Sequence, residues 1–302
     1  MISRSSLAKR ISGLVLVVTG VILAAQAPAP ATGKFYIVGM GTAPDLITLR
    51  AQKVIARADV LMAEEGTIER DWAELAKGKE VWQWPSDFRR YYGVDPKALK
   101  DADQRARAES LDRTRRQLIE KIRAAVAAGK VVACLEGGDP MMYGMTLFLE
   151  MLPAGVPSEI VPGVGSFQAA SAALKMSPPY GYDTSGVILT AADWPGRVDT
   201  NEKLMAAGST MVFYTMGVDY PPLFAQLKRF YPADTPVAVV SDAGDPNQQK
   251  VLRSTVGRFL DEVDYRSLPH NRHMLFVGKF LKAGQARKDF LVPRAPAAEV
   301  RK

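Results

Sequence analysis

The strongest constraint in this chain is an apolar run that stops on two glycines. Residues 131–135 (VVACL) are too few for a core helix and rich in β-branched side chains, so they read as a buried strand. Gly137, Gly138, Asp139 and Pro140 then form a loop at its carboxyl end. Paired glycines let backbone approach a ligand with no Cβ between them. Pro140 pushes Asp139 toward an extended conformation. The carboxylate either accepts hydrogen bonds from a ligand or caps the helix that follows. Residues 159–168 repeat the pattern, running into Pro162-Gly163-Val164-Gly165-Ser166 with Ser166 placed as a helix cap. Open α/β sheets hold ligands at the carboxyl ends of their strands. Two such loops predict a small-molecule site and an enzyme.

The rest of the chain alternates strand and helix. Strands are expected at 35–38, 60–62, 186–190, 211–214, 237–240 and 274–277. A helix is expected over 46–57 with a stripe of Leu46, Leu49, Val54 and Ile55, and another over 222–230. A long helix over 104–128 places Leu111, Leu118, Ile122 and Ala125 on one face, with Gly129 as its stop. Gly39-Met40-Gly41 after the first strand lacks the third glycine of a dinucleotide fingerprint, so a tight strand-to-helix turn serves equally well. Pro153 to Pro157 is the expected hinge between an N-terminal α/β domain (34–153) and a C-terminal one (158–285), with a loose tail over 286–302.

Charge and composition exclude several classes. The formal charge is +7, and Arg4, Lys9 and Arg10 contribute three of the 39 basic residues within a segment free of acids. The remaining excess over 32 acidic residues is too small to suggest nucleic acid. Cys134 is the single cysteine, which rules out an internal disulfide, and its neighbours give it a packing role. His270 and His273 lack the further ligands a metal site needs. At the amino terminus, basic residues precede an uncharged stretch over 11–25, and Ala29-Pro30-Ala31 has signal-peptidase spacing. Residues 1–31 therefore read as a signal peptide or membrane anchor, the chain's one point of membrane contact. The body is then exported or held at the inner membrane, or cytoplasmic if Met1 precedes the real start.

FYIVGMGTAPDLITL, LEGGDPMMYG, EIVPGVGSFQAASAAL, TMVFYTMG and TPVAVVSDAGDPNQQ occur in that order between Phe35 and Leu281. In this order they resemble the tetrapyrrole methylases, with PGVGSFQAA and AGDPNQ most similar to the precorrin-4 branch that works at carbon 11. The resemblance implies two α/β domains, a homodimer, S-adenosylmethionine as methyl donor and a precorrin-type tetrapyrrole as acceptor. By motif, Gly137, Gly138, Asp139, Met142, Gly165, Ser166, Met216 and Ala243 would face the cofactor. Methyl transfer from a sulfonium needs alignment and exclusion of water more than acid–base groups, which fits a chain without a Ser-His-Asp or metal pattern.

Three departures bear on the acceptor. The first loop is shorter than the family's usual one, which puts Thr42 and Pro44 on the substrate side. An insert over 85–110 carries Arg89, Arg90, Tyr91 and Tyr92, substrate-side candidates that a solvated loop would equally accommodate. The leader predicts export, whereas the donor is made in the cytoplasm. These features keep two alternatives: a methyltransferase for a peptide or other non-tetrapyrrole acceptor, and an exported tetrapyrrole-binding protein without catalysis.

Overall fold

In the first half, seen in a computed structural model that describes residues 33–180 and 186–282, strands and helices alternate as β1 (Lys34–Gly39), α1 (Leu49–Arg57), β2 (Val60–Glu64), α2 (Thr67–Asp71), α3 (Ala73–Ala76), β3 (Glu80–Trp84), α4 (Ala102–Ala127), β4 (Val131–Glu136), α5 (Leu147–Met151) and β5 (Ser158–Val161). The five strands are parallel, in the order β3-β2-β4-β1-β5. Alternation along each strand assigns its side chains to two layers. Phe35, Ile37, Val132 and Cys134 meet α4 and α5 on one face. Tyr36, Val38, Ala133 and Leu135 meet α1 on the other. Cys134 is fully buried in the first of these layers, where burial raises its thiol pKa well above the usual range.

Helix ends explain where the expected boundaries moved. Leu46 lies in a separate 3-10 turn, Pro44–Leu46, and Thr48 Oγ1 accepts the Ala51 amide at 3.1 Å to start α1. This start leaves Leu49 75% exposed, so the buried stripe is Ala51, Val54 and Ile55. Asp101 caps α4 through the Gln104 amide at 2.8 Å. Gly129 (φ +83°) ends it as expected, with Lys130 donating to Ala125 O and Gly129 to Val126 O, a Schellman closure.

An aromatic cluster ties the long connection before α4 to this core. Phe148 packs against Phe35, Trp84 and Phe88 at centroid distances of 6.1, 5.3 and 5.4 Å. Phe88, within the expected insert, is completely buried. From α4, the 2% exposed Arg115 donates through Nη1 to Phe88 O at 2.8 Å and Arg90 O at 3.3 Å. Arg107 pairs with Asp87 and holds its carboxyl below the usual range. The segment is a pinned turn.

The second half contains α6 (Ser166–Leu174), β6 (Val187–Thr190), α7 (Asn201–Met205), β7 (Thr210–Tyr214), α8 (Tyr220–Phe230), β8 (Pro236–Ser241), β9 (Lys250–Thr255), α9 (Phe259–Glu262) and β10 (His273–Val277). Its sheet runs β6-β7-β10-β8-β9, antiparallel apart from the β6/β7 pair. Phe213, Val239 and Leu275 face α8 and α9, while Val212, Val240 and Phe276 face α6. His273 is structural: Nδ1–H donates to Pro269 O at 2.8 Å, and Nε2 accepts from Tyr220 at 2.6 Å.

The hinge expected at Pro153 to Pro157 joins α5 to β5, and β5 pairs with β1 in the first sheet. The chain leaves for the second sheet only after Val161. β3 and β9 were not expected from sequence. Both are edge strands with solvent on one side, which weakens their apolar signal. The expected leader (1–31) and tail (286–302) lie outside the described residues. Among the described residues no helix is long and apolar enough to cross a membrane.

Removing the central ring tests the anchoring role of the aromatic cluster. Phe148→Ala should cost about 3–5 kcal/mol, as large-to-small changes in a packed aromatic core do. Urea denaturation of the full chain would measure it, and a loss under about 1 kcal/mol would refute the role.

Candidate active site

Three loops leave the carboxyl ends of the adjacent strands β4, β1 and β5, and their backbones touch. Gly41 and Gly138 form an isolated bridge, with N–H···O distances of 3.2 and 2.8 Å. A Cβ on Gly163 would lie 2.1 Å from Gly138 O, and one on Gly39 would lie 2.4 Å from Gly163 N. No side chain fits at either position without moving backbone. Gly137 differs, because a Cβ there would meet nothing within 4 Å. A Cβ on Gly138 (φ +72°) would have Gly165 Cα as its nearest neighbour at 3.9 Å, with Ser166 Oγ at 4.0 Å. The glycines therefore close the loops on one side and leave space on the other.

Asp139 does not cap a helix, since α5 begins only at Leu147. Its Oδ1 accepts the Met141 amide at 2.9 Å, a local turn that fixes the carboxylate beside the open glycines. Ser166 is not a cap either. Gly165 occupies the N-cap position, Ser166 is the first helical residue, and no side chain closes that helix start. The reason is that the chain turns at Gly165, whose Cα faces the Gly138–Asp139 loop, where a Cβ would lie 3.3 Å from Asp139 Cβ.

The second half supplies the facing side. β7 and β8 flank β10 antiparallel to it, so the loops bearing Met216 and Ala243 leave the same edge of the sheet. Ala243 is buried and Met216 half-buried, both against the α6 layer. Tyr143 packs edge-on against Tyr214 at 5.2 Å, joining the loop after β4 to the end of β7. Tyr214 keeps a buried hydroxyl with no hydrogen-bond partner, and burial with Tyr143 and Asp139 nearby pushes its pKa up to about 12. Met142, 37% exposed, lies in the same turn. A Cβ on Gly244 would meet Leu46 Cδ1 at 2.6 Å and Thr42 Oγ1 at 2.7 Å, so the first loop also touches the second half. Thr42 Oγ1 is buried and unpartnered, while Pro44 is exposed at the start of its 3-10 turn.

A pocket of about 240 Å³ continues from Gly137 across the carboxyl ends of β4, β2 and β3. Its lining includes Glu136, Glu64, Trp84, Arg89, Thr67 and Met145. Glu136 ends β4, and its carbonyl accepts the Met40 amide at 2.8 Å. Burial raises its carboxyl pKa to about 7, against the opposing pull of Arg89 and of the Met145 amide, with Glu64 adding to the rise. Trp84 leaves its buried Nε1–H without a partner.

Of the four insert candidates, Arg89 alone lines this pocket. Arg90 lies over the Tyr91 ring, and Tyr92 reaches Glu150 at 3.3 Å with Arg115 over its own ring. Glu136, Trp84 and Tyr214 were not singled out from sequence. Glu136 sits in the glycine-loop motif itself, and its polar place at the end of an apolar run was the available signal.

The pH dependence of stability tests the state of Glu136. The folded chain holds a proton there up to about 7, while the ordinary value is 4.5, so the folded state binds more protons between the two. Stability is then fully present below that window and falls as pH rises through it. The urea midpoint of the parent should drop relative to Glu136→Gln between about pH 5 and about pH 8. A difference independent of pH would exclude a proton-holding carboxyl.

The model of the tetrapyrrole (corrin/porphyrin) methylases matches residues 34–259. A cobalt-precorrin-4 C(11)-methyltransferase of Priestia megaterium is 30% identical over 265 residues, covering 85% of this chain and 92% of that protein. A precorrin-4 C(11)-methyltransferase of Rhodococcus erythropolis is 30% identical over 257 residues, covering 82% and 92%. Among solved structures, a cobalt precorrin-4 methyltransferase of cobalamin biosynthesis superposes with a TM-score of 0.61 at 26% identity, covering 85% of this chain and 99% of that one. All five motifs and every strand except β10 lie within residues 34–259, and the chain belongs to the tetrapyrrole methylases.

Proposed function

We propose that this protein transfers a methyl group from S-adenosylmethionine to a carbon of a precorrin-type tetrapyrrole, in the manner of the precorrin-4 branch. The observation that carries this reading is the meeting of the open Gly137–Gly138–Asp139 loop with Gly165–Ser166, in a chain of the methylase family. The residues present fit the cofactor. Two glycines leave a side-chain-free cradle, Asp139 offers an acceptor for hydroxyl or amino groups, and the unpartnered Tyr214 hydroxyl offers a donor. Backbone of Gly137, Gly138 and Gly165 would hold it with Asp139 and Ser166, and Met142, Met216 and Ala243 would supply apolar contact. When bound, the cofactor supplies an activated methyl group on a sulfonium whose departure leaves a neutral thioether.

The protein's task is then orientation and exclusion of water. Tyr143 and Tyr214 close one side of the cleft and the first loop, with Thr42 and Pro44, borders another. The acceptor lies in the pocket beyond Gly137, where Arg89 faces a carboxylate or other acidic edge of the substrate. The active form is a homodimer, and residues 1–31 direct the body out of the cytoplasm or anchor it.

Calorimetry on the chain lacking residues 1–31 should show binding of S-adenosylmethionine and its demethylated product. Asp139→Ala should weaken that binding by about 10-fold or more, the loss of a charged hydrogen-bond acceptor. No heat with either compound, together with porphyrin uptake, would instead make this a binding protein. Labelled donor should mark a corrinoid precursor, and labelling of a peptide alone would move the acceptor class.

An alkaline phosphatase reporter fused after Leu281 should be active if the leader exports the body. An inactive reporter would place it in the cytoplasm.

A further inference from the structure

We propose that Glu136 is the catalytic base of the acceptor pocket, taking the proton that the acceptor ring releases when its carbon is methylated. This role rests on the methyltransferase reading above and goes beyond it, because it assigns chemistry to a residue of the pocket and not of the cofactor loops. Glu136 immediately precedes Gly137, so its side chain stands at the boundary between the cofactor cradle and the pocket that both residues line. The carboxyl ends of three neighbouring strands converge there, bringing Glu64 from β2, Trp84 from β3 and Glu136 from β4.

The surroundings suit a group that gains and loses one proton. Arg89 and the Met145 amide favour the carboxylate, and Glu64 and burial oppose it. On its own strand Cys134 is buried and neutral, and neighbouring β1 presents only Gly39 opposite Glu136. Thr67 and Ser86 line the pocket without charge, as does Trp84, whose buried Nε1–H has no partner. A carboxyl poised near neutrality matches the range in which a base works best at physiological pH.

The balance is simple. As the carbon–methyl bond forms, the methyl–sulfur electron pair leaves with the neutral thioether, and the acceptor ring is left with a positively charged N–H. Glu136 Oε takes that proton, the nitrogen keeps its electron pair, and the protonated carboxyl later releases the proton to solvent through the open pocket. No other reactant is needed.

Two readouts test this on the full chain. With glutamate labelled at the carboxyl carbon, one resonance should titrate near 7 and be missing in Glu136→Gln. In turnover, Glu136→Gln should lower kcat by about 100-fold and abolish the rising limb of the pH–rate profile. Its affinity for the demethylated cofactor should stay within about twofold of the parent, because the cradle is unchanged. Equal kcat and pH profiles, or a Glu136 resonance titrating with the surface carboxylates, would overturn the role while leaving the methyltransferase reading intact. A parent chain that neither binds the demethylated cofactor nor methylates a tetrapyrrole would overturn both.

Discussion

Backbone contact between three loops is what the site depends on. Gly39 and Gly163 let the carboxyl ends of β1, β4 and β5 come together, because a Cβ on Gly39 would strike Gly163 and one on Gly163 would strike Gly138 O. Parallel strands place those ends on one side of the sheet, and the glycines let the loops meet there. Once they meet, Gly137 is turned toward open space, Asp139 is fixed by its own turn, and Gly165 is set against it. A ligand-facing wall arises because side chains are absent where loops cross. The functional groups need only occupy the margins.

The second sheet completes this arrangement through strand direction. β7 and β8 run the same way because each is antiparallel to β10, which lies between them. The loops carrying Met216 and Ala243 therefore emerge together, although they are distant in sequence. Contacts of Tyr143 with Tyr214, and of the Thr42–Leu46 segment with Gly244, join these loops to the first half. Tyr214 shows the consequence of that closure: its hydroxyl is withdrawn from water and left without a partner.

Arg89 and Glu136 illustrate how charge is placed in a pocket. Phe88 is buried among aromatic rings, and Arg115 takes the carbonyls of Phe88 and Arg90, so the residue between them is held toward the carboxyl ends of the strands. Arg115 is itself half of a trade, since a buried guanidinium must find acceptors and the turn must find donors. Burial lowers its pKa, with Asp112 and Tyr92 opposing that shift. The same low-dielectric setting that strengthens these contacts makes Glu136 reluctant to ionise.

By itself the sequence determined the alternation of strands and helices, the two glycine loops and the family, because each is a local pattern of residue type and spacing. Gly129 as a helix stop and the buried runs at 131–135 and 274–277 were legible for that reason. The edge strands β3 and β9 were not, because nearly all their side chains are exposed or only partly buried and carry no periodic signal. Helix caps misled where a competing turn intervened: Thr48 displaced the start of α1, and Gly165 took the place expected for Ser166. Among Arg89, Arg90, Tyr91 and Tyr92, only tertiary contacts from α4 and α5 decided which one faces the pocket. The proton-holding character of Glu136 was likewise decided by the fold. A carboxyl group has an ordinary acidity in sequence, and only burial beside Glu64 and Arg89 changes the energy of its charged form.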